Sequence, residues 1–329
     1  MKILLIDVDS KIPNLALMKL STFYKNKGYE IELKQLNIPY YPKKKKEVII
    51  DANEYEKVFV SIIFTTNNGL VKITNCKEVS FGGTGYSITK KLPEEIEECE
   101  EDYSIYKDNN TSYGFITRGC IRNCSFCFVP KKEGMLHKYR EIEQIVKHKK
   151  VEFLDNNILA YEKCNKELQK LVDLKLRCKF NQGLDIRLID DEKARLLSQM
   201  NYINEYIFAF DNIAYKPIIE EKIKIIKKYI KKDWKVKMYI YVDPTMKIID
   251  TVKRIEWCKK NKVLPYIMRG LECWDDKNCN FYIDIAAYCN QPNMFKKVSF
   301  EQFIIKRTNN LQRQKNSCEI YYKNSLQLY

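Results

Sequence analysis

Short runs of apolar residues recur along the chain, separated by segments whose apolar positions repeat every three to four residues. This is the alternation of buried strands with amphipathic helices. "KILLIDVD" at 2–9 predicts a buried strand, and "NLALMKLSTFYKNKGYEIEL" predicts a helix from about Asn14 to near Gly28, then a second strand. "KVFVSIIF" at 57–64 predicts a further strand, and "EVSFGGTGY" one more that closes in Gly82, Gly83 and Gly85. The fold class is α/β, opening with a small doubly wound, Rossmann-like layer over 1–92. The acidic stretch that follows, 93–112, predicts an irregular linker.

From Tyr113 the alternation resumes on a longer beat. Strands are expected at 113–117, 151–154, 178–181, 206–210, 236–242 and 264–268, with helices near 139–148, 162–175, 191–200, 217–231 and 248–260. Six β/α units are too few for a closed eight-stranded barrel and suit a partial (β/α)6 barrel of the TIM type over 113–298. In such folds chemistry sits at the carboxyl ends of the strands. The tail, 299–329, is basic, polar and short on pattern.

Composition narrows the class. No apolar segment with a basic start and a small-residue cleavage site opens the sequence, so no export is implied. Apolar runs long enough to span a bilayer are absent, and no membrane partner is expected. Twelve cysteines without a signal peptide point to metal ligation, redox chemistry or buried thiols in a reducing cytoplasm. The formal charge of +15 suits an acidic partner such as nucleic acid. Lys, Ile, Asn and Tyr are abundant throughout, however, a bias that AT-rich coding DNA produces unaided. Basic runs such as 43–46 and 222–232 read better as solvated faces or snorkelling helix residues.

"GFITRGCIRNCSFCFVP", residues 114–130, places Cys120, Cys124 and Cys127 at C-x3-C-x2-C, just after the first strand of the second region. A structural zinc site wants four ligands, often as two C-x2-C pairs, and no second pair follows at that spacing. Three thiolates suit a 4Fe-4S cluster with one iron left for a small chelating molecule.

"CIRNCSFC", with the aromatic Phe126 before the last cysteine, resembles the cluster motif of the radical S-adenosylmethionine (radical SAM) superfamily. The resemblance implies an enzyme in which Cys120, Cys124 and Cys127 hold the cluster. S-adenosylmethionine chelates the open iron, and reductive cleavage gives a 5'-deoxyadenosyl radical that abstracts hydrogen from a substrate. It also implies a reducing electron donor, such as a flavodoxin or ferredoxin.

The other cofactor-side candidates stand at strand ends. "FLDNNILA" at 153–160 presents Asp155, Asn156 and Asn157 where the family commonly meets the methionine amino group; no Gly-Gly-Glu stands there, and a turn and helix cap is the plainer reading. "FNQGLDIRL" at 180–188 presents Gln182 and Asp185, with an Asp185 to Arg187 pair as the structural alternative. "FAFDN" places Asp211 where an acidic acceptor suits a ribose diol, and "IMRG" places Arg269 to pair with a carboxylate, unless it is a plain surface arginine. No catalytic residue is assigned.

The N-terminal region resembles the cobalamin-binding, Rossmann-type domain that precedes the barrel in one branch of the superfamily. The cobalt-coordinating histidine has no counterpart, since His137 and His148 are the chain's two histidines and both follow the cluster motif. That favours a degenerate, scaffold-like domain over cobalamin binding, with "GGTGY" a tight turn rather than a phosphate cradle. His137 reads as a solvated residue rather than a proton carrier, and His148 as a surface residue. Cys273, Cys279 and Cys289 are the trio an auxiliary cluster would use, but spacings of six and ten match no compact ligand pattern, and buried or idle thiols are the plainer reading.

The substrate is not readable. Modification of a nucleic-acid base or nucleoside fits the charge and the resemblance to the methylthiolating and cobalamin-type branches, although no RNA-binding module has a recognisable signature. The alternatives are modification of a peptide or small metabolite, and a non-catalytic iron–sulfur or zinc protein that binds nucleic acid.

Overall fold

The computed structural model describes residues 1–41 and 45–325; Lys43 and Lys44 of the basic run, and 326–329 of the tail, lie outside the described residues. The chain forms two compact units. The first comprises Met1–Gly114, Arg122–Met135 and Arg140–Lys149. The second comprises Phe115–Ile121, Leu136–Tyr139 and the chain from Lys150 onward. Both are α/β with mostly parallel pairing.

The first unit contains β1 (Lys2–Asp7), α1 (Leu15–Asn26), β2 (Glu30–Gln35), β3 (Val48–Asp51), β4 (Lys57–Ser61), β5 (Val71–Thr74) and β6 (Glu78–Gly82). The short helices α2 (Glu94–Glu97), α3 (Val129–Glu133) and α4 (Ile142–Ile145) and the strand β7 (Thr111–Gly114) also belong to it. Four strands pair in parallel in the order β2-β1-β4-β6. Both faces of β1 are covered, which is why its sequence is an unbroken apolar run. Ile3 and Leu5 pack on Leu17 and Leu20 of α1 and on Ile96 of α2. Leu4 and Ile6 pack with Val58 and Val60 and with Ile50 and Val71.

Ile50 and Val71 come from β3 and β5, which form their own parallel pair. A doubly wound layer would place a helix on that face. The segments here are short, β-branched runs, "VIID" and "VKIT", which bury side chains against a sheet without a helical turn. The 93–112 stretch is likewise more ordered than its acidity suggests. Lys19 of α1 bonds the Glu97 carbonyl at 2.7 Å, and Lys25 pairs with Asp102 at 2.7 Å, so the basic residues of α1 hold it.

The glycine turn after β6 is a packing device. A Cβ on Gly83 would lie 2.8 Å from the Ile62 nitrogen, and one on Gly85 2.7 Å from the Phe64 nitrogen. Gly83 also has φ +90. Gly83→Ala should therefore destabilise the first unit by about 2 kcal/mol or more, through clash and left-handed strain together. Chemical denaturation followed by far-UV circular dichroism measures the loss.

In the second unit, β8 (Thr117–Arg118) and β9 (His137–Lys138) pair antiparallel. Then follow β10 (Lys150–Phe153), α5 (Cys164–Asp173), β11 (Arg177–Phe180), α6 (Asp191–Gln199), β12 (Asn201–Tyr202), β13 (Tyr206–Ala209), α7 (Lys216–Tyr229), β14 (Val236–Val242), α8 (Ile248–Lys260) and β15 (Leu264–Arg269). Strands β10, β11 and β12 pair in parallel, as do β13, β14 and β15. An isolated parallel bridge joins Leu184 to Phe208. Closure into a barrel is not seen among the described residues. The start of α6 is set by an acceptor in the sequence: Asp190 caps it by accepting from the Lys193 nitrogen at 2.8 Å.

The tail departs from its sequence reading. After α9 (Cys279–Cys289) and α10 (Pro292–Lys297), it folds as α11 (Phe300–Arg307) and α12 (Leu311–Ser325). Ser299 and Gln302 form a capping box at the start of α11. The buried carboxylate of Asp284 in α9 accepts from Arg307 Nε at 3.1 Å, Arg313 Nε at 3.0 Å and Ser317 Oγ at 2.9 Å, which pins both helices. The basic residues of the tail thus neutralise a fully buried acid. Among the described residues, no helix is long and apolar enough to cross a membrane.

Candidate functional site

Gly119, with φ +82, turns the chain out of β8 so that Cys120 follows directly. On the second unit's side, this entry into the cysteine loop is gripped by the end of β10. Asp155 is buried, and its Oδ1 accepts from the Thr117 nitrogen at 2.6 Å and from Thr117 Oγ1 at 2.7 Å. Its Oδ2 accepts from the Ile116 nitrogen at 3.1 Å. Two residues on, Asn157 Nδ2 donates to Cys120 Sγ at 3.7 Å. The Asn157 side chain makes no cap bond to the turn that follows it, and its Oδ1 is buried without a hydrogen-bond partner.

Burial pushes the Asp155 carboxyl up from its ordinary 3.8 to about 6, against the hydrogen bonds from Thr117 and Ile116 that pull it down. Between about pH 4 and pH 6 the folded chain keeps a proton that the unfolded chain releases. Stability from this group is therefore full below pH 4 and falls as pH rises to about 6, by roughly 3 kcal/mol. Asp155→Asn should flatten that slope. It should also cost about 1–3 kcal/mol, because an amide nitrogen then faces a backbone N–H. Thermal midpoints of both proteins measured across this pH range test the sign.

Cys124 and Cys127 lie in the first unit, where the Cys127 nitrogen donates to the Cys124 carbonyl at 3.0 Å and α3 begins two residues later. Phe126 between them is 36% exposed. Among the described residues, no three His, Cys, Asp or Glu side chains converge as a ready metal cage. Thiolates gather around a metal as it binds. Three cysteines within eight sequence positions, with an amide N–H already donated to one sulfur, suit an iron–sulfur group.

The remaining candidates stand at strand ends of the second unit. Asn156 is half-buried beside Asp155, and Gln182 is exposed after β11. Asp185 holds Arg187 through a two-point pair, Nε to Oδ1 at 2.7 Å and Nη2 to Oδ2 at 2.9 Å, and the guanidinium lies over Tyr215. That is the structural pairing the sequence allowed. Asp211, after β13, accepts from the Tyr241 nitrogen at 2.9 Å, and burial raises its carboxyl above the ordinary value. It lines a cavity of about 280 Å³ with Asn212, Thr245, Lys247 and Asp250. Arg269 stacks on Trp274, its guanidinium carbon 4.5 Å from the ring centre.

One residue escaped the sequence altogether. Arg254 of α8 is 1% exposed, and its Nη1 donates to the carbonyls of Phe210, Asp211 and Tyr241 at 3.0, 2.9 and 3.2 Å. It fastens the carboxyl ends of β13 and β14 beside Asp211. In an amphipathic helix, "TVKRIEW" gave no sign of it.

In the first unit, the crevice where strand order reverses, between the carboxyl ends of β1 and β4, is filled by the chain's own groups. Tyr106 donates to Asp7 at 2.7 Å, Asn14 to Ser61 at 2.8 Å, and the Ile63 nitrogen to Asp9 at 2.7 Å. Ligands of doubly wound folds bind at that point. His148 is not the free surface residue expected: Nδ1 lies 3.1 Å from Ser112 Oγ, and Tyr103 packs edge-on against the ring. His137 is exposed on β9.

The chain is similar to a tRNA-2-methylthio-N(6)-dimethylallyladenosine synthase from Sulfurihydrogenibium sp. (strain YO3AOP1). Identity is 22% over 205 residues, 54% of this chain and 47% of the relative. The chain thus spans about half the length of the curated relative it matches. No family model matches the chain.

Proposed function

We propose that the protein is a radical SAM enzyme whose Cys120, Cys124 and Cys127 hold a 4Fe-4S cluster. The observation that carries the reading is the C-x3-C-x2-C triad placed in the chain just ahead of a run of β/α units whose strands pair in parallel. The similarity to a tRNA methylthio-synthase supports the same superfamily. On this reading the six principal strands of 113–298 make a partial TIM-type barrel, and residues 1–92 are a degenerate scaffold of the cobalamin-domain type rather than a cobalamin carrier. The protein works in the cytoplasm with a low-potential electron donor.

When bound, the cluster and S-adenosylmethionine supply a 5'-deoxyadenosyl radical. The chain's own residues supply placement. Asp155 fixes the entry to the cysteine loop, Asp185 acts through Arg187, and Phe126, Asn156, Gln182, Asp211 and Arg269 would be the residues that hold the cofactor. Arg254 holds the strand ends that carry Asp211. The substrate is a base or nucleoside in RNA, a reading supported by the relative's tRNA substrate and by the charge of +15.

The test is 5'-deoxyadenosine production by anaerobically reconstituted, chemically reduced protein, in buffer alone and with cell RNA, a proteome digest or small metabolites. RNA should give the strongest stimulation. Stimulation by peptides or metabolites instead would overturn the substrate class, and no product in any fraction would overturn the enzyme reading.

A further inference from the structure

We infer that Asn157 is a positioning residue whose amide N–H, donated to the Cys120 sulfur, sets how readily a cluster held by that sulfur accepts an electron. The inference rests on the reading above and assigns within it a role to a residue of this chain.

Three observations carry it. The first is the bond itself, Asn157 Nδ2 to Cys120 Sγ at 3.7 Å, ordinary for a sulfur acceptor. The second is that folding does not account for this amide. Asparagine before a turn commonly caps it, yet here the side chain makes no cap bond, and the turn is closed by backbone, the Ala160 nitrogen donating to the Asn157 carbonyl at 3.1 Å. The residue is 2% exposed and its Oδ1 has no partner, an arrangement that a purely structural asparagine avoids. The third is rigidity. Asp155 holds Ile116 and Thr117 by three hydrogen bonds from the same loop that carries Asn157, so donor and sulfur are held from both sides.

The consequence follows from charge. One-electron reduction, by a low-potential donor such as dithionite in the assay, adds a negative charge that is shared with the thiolate sulfurs. A hydrogen bond donated to sulfur stabilises that added charge and raises the potential. Removing the donor makes the reduced form less favourable. A tenfold change in the reduction equilibrium corresponds to about 59 mV for a one-electron couple.

The experiment is a potentiometric titration, read by electron paramagnetic resonance, of reconstituted wild-type protein, Asn157→Leu and Asn157→Asp. Leucine and aspartate both keep the approximate shape and lack the N–H; aspartate also adds a negative charge that lowers the potential by itself, so a drop in the leucine variant carries the inference and an unchanged potential in either variant overturns it. Thermal midpoints are measured alongside. We expect clusters in all three, with the variants reduced at lower potential by about tenfold in the equilibrium or more. A loaded variant with the wild-type potential, whatever its thermal midpoint, assigns Asn157 to folding alone and overturns the inference. Wild-type protein that takes up no cluster overturns the underlying reading, and the inference with it, and is told apart by its iron and sulfide content before any titration.

Discussion

Cys124→Ala is expected to abolish the iron–sulfur cluster, bringing iron and acid-labile sulfide to background and ending S-adenosylmethionine cleavage. With three protein thiolates there is no spare ligand, and removal of one leaves two sulfurs for a cube that needs three. The substitution should leave the fold intact. The Cys127 nitrogen bonds the backbone carbonyl of residue 124, not its side chain, and alanine keeps that turn. Circular dichroism of the metal-free proteins should therefore coincide. A full 4Fe-4S complement in Cys124→Ala would remove this cysteine from the ligand set and point to four thiolates drawn from elsewhere among the twelve.

Arg254→Met should cost the second unit about 3–5 kcal/mol, because it strips a buried donor from the carbonyls of Phe210, Asp211 and Tyr241. Burial lowers the guanidinium to about 10, so it stays charged at neutral pH, helped by the negative fields of Asp211 and Asp250. A fall in thermal midpoint of roughly 10 °C is expected on that scale. Arg254→Lys should not restore it, since the guanidinium also donates from Nε to the Asp250 carbonyl at 3.2 Å and from Nη2 to Thr251 Oγ1 at 3.1 Å, and one ammonium cannot reach these together with the three carbonyls. Calorimetry of the three proteins decides the matter; a midpoint within a degree or so of wild type for Arg254→Met would show that the carbonyls find other partners.

The parts of the molecule legible in the sequence are those set by local apolar pattern. Val236–Val242 is a strand over the span expected, and 248–260 a helix, because each carries its period without interruption. The β3 and β5 pair was missed because two four-residue segments acquire their meaning from the sheet face they cover. The tail was missed for the opposite reason. Its S-x-x-Q capping box at Ser299 was in plain view, but its basic composition hid the fact that Arg307 and Arg313 answer an acid buried in α9.

For the site, spacing made the cysteine triad readable and also drew Asp155 into view as a polar residue at a strand end. What spacing does not reveal is direction. Asp155 turns back to the chain at Thr117, and its neighbour Asn157 reaches the Cys120 sulfur. Asp185 and Arg187, two apart, close on each other as their charges allow. Arg254 was invisible because burial of its charge depends on three carbonyls that tertiary packing brings to it from the ends of two neighbouring strands.

The most direct measurement of the central claim is the spectrum of the reconstituted, reduced cluster with and without S-adenosylmethionine. An open iron beside three thiolates should bind the cofactor's amino and carboxylate groups and shift the electron paramagnetic resonance signal. A fully loaded cluster whose signal ignores saturating S-adenosylmethionine would contradict the account and favour an iron–sulfur protein with four thiolate ligands and no radical chemistry.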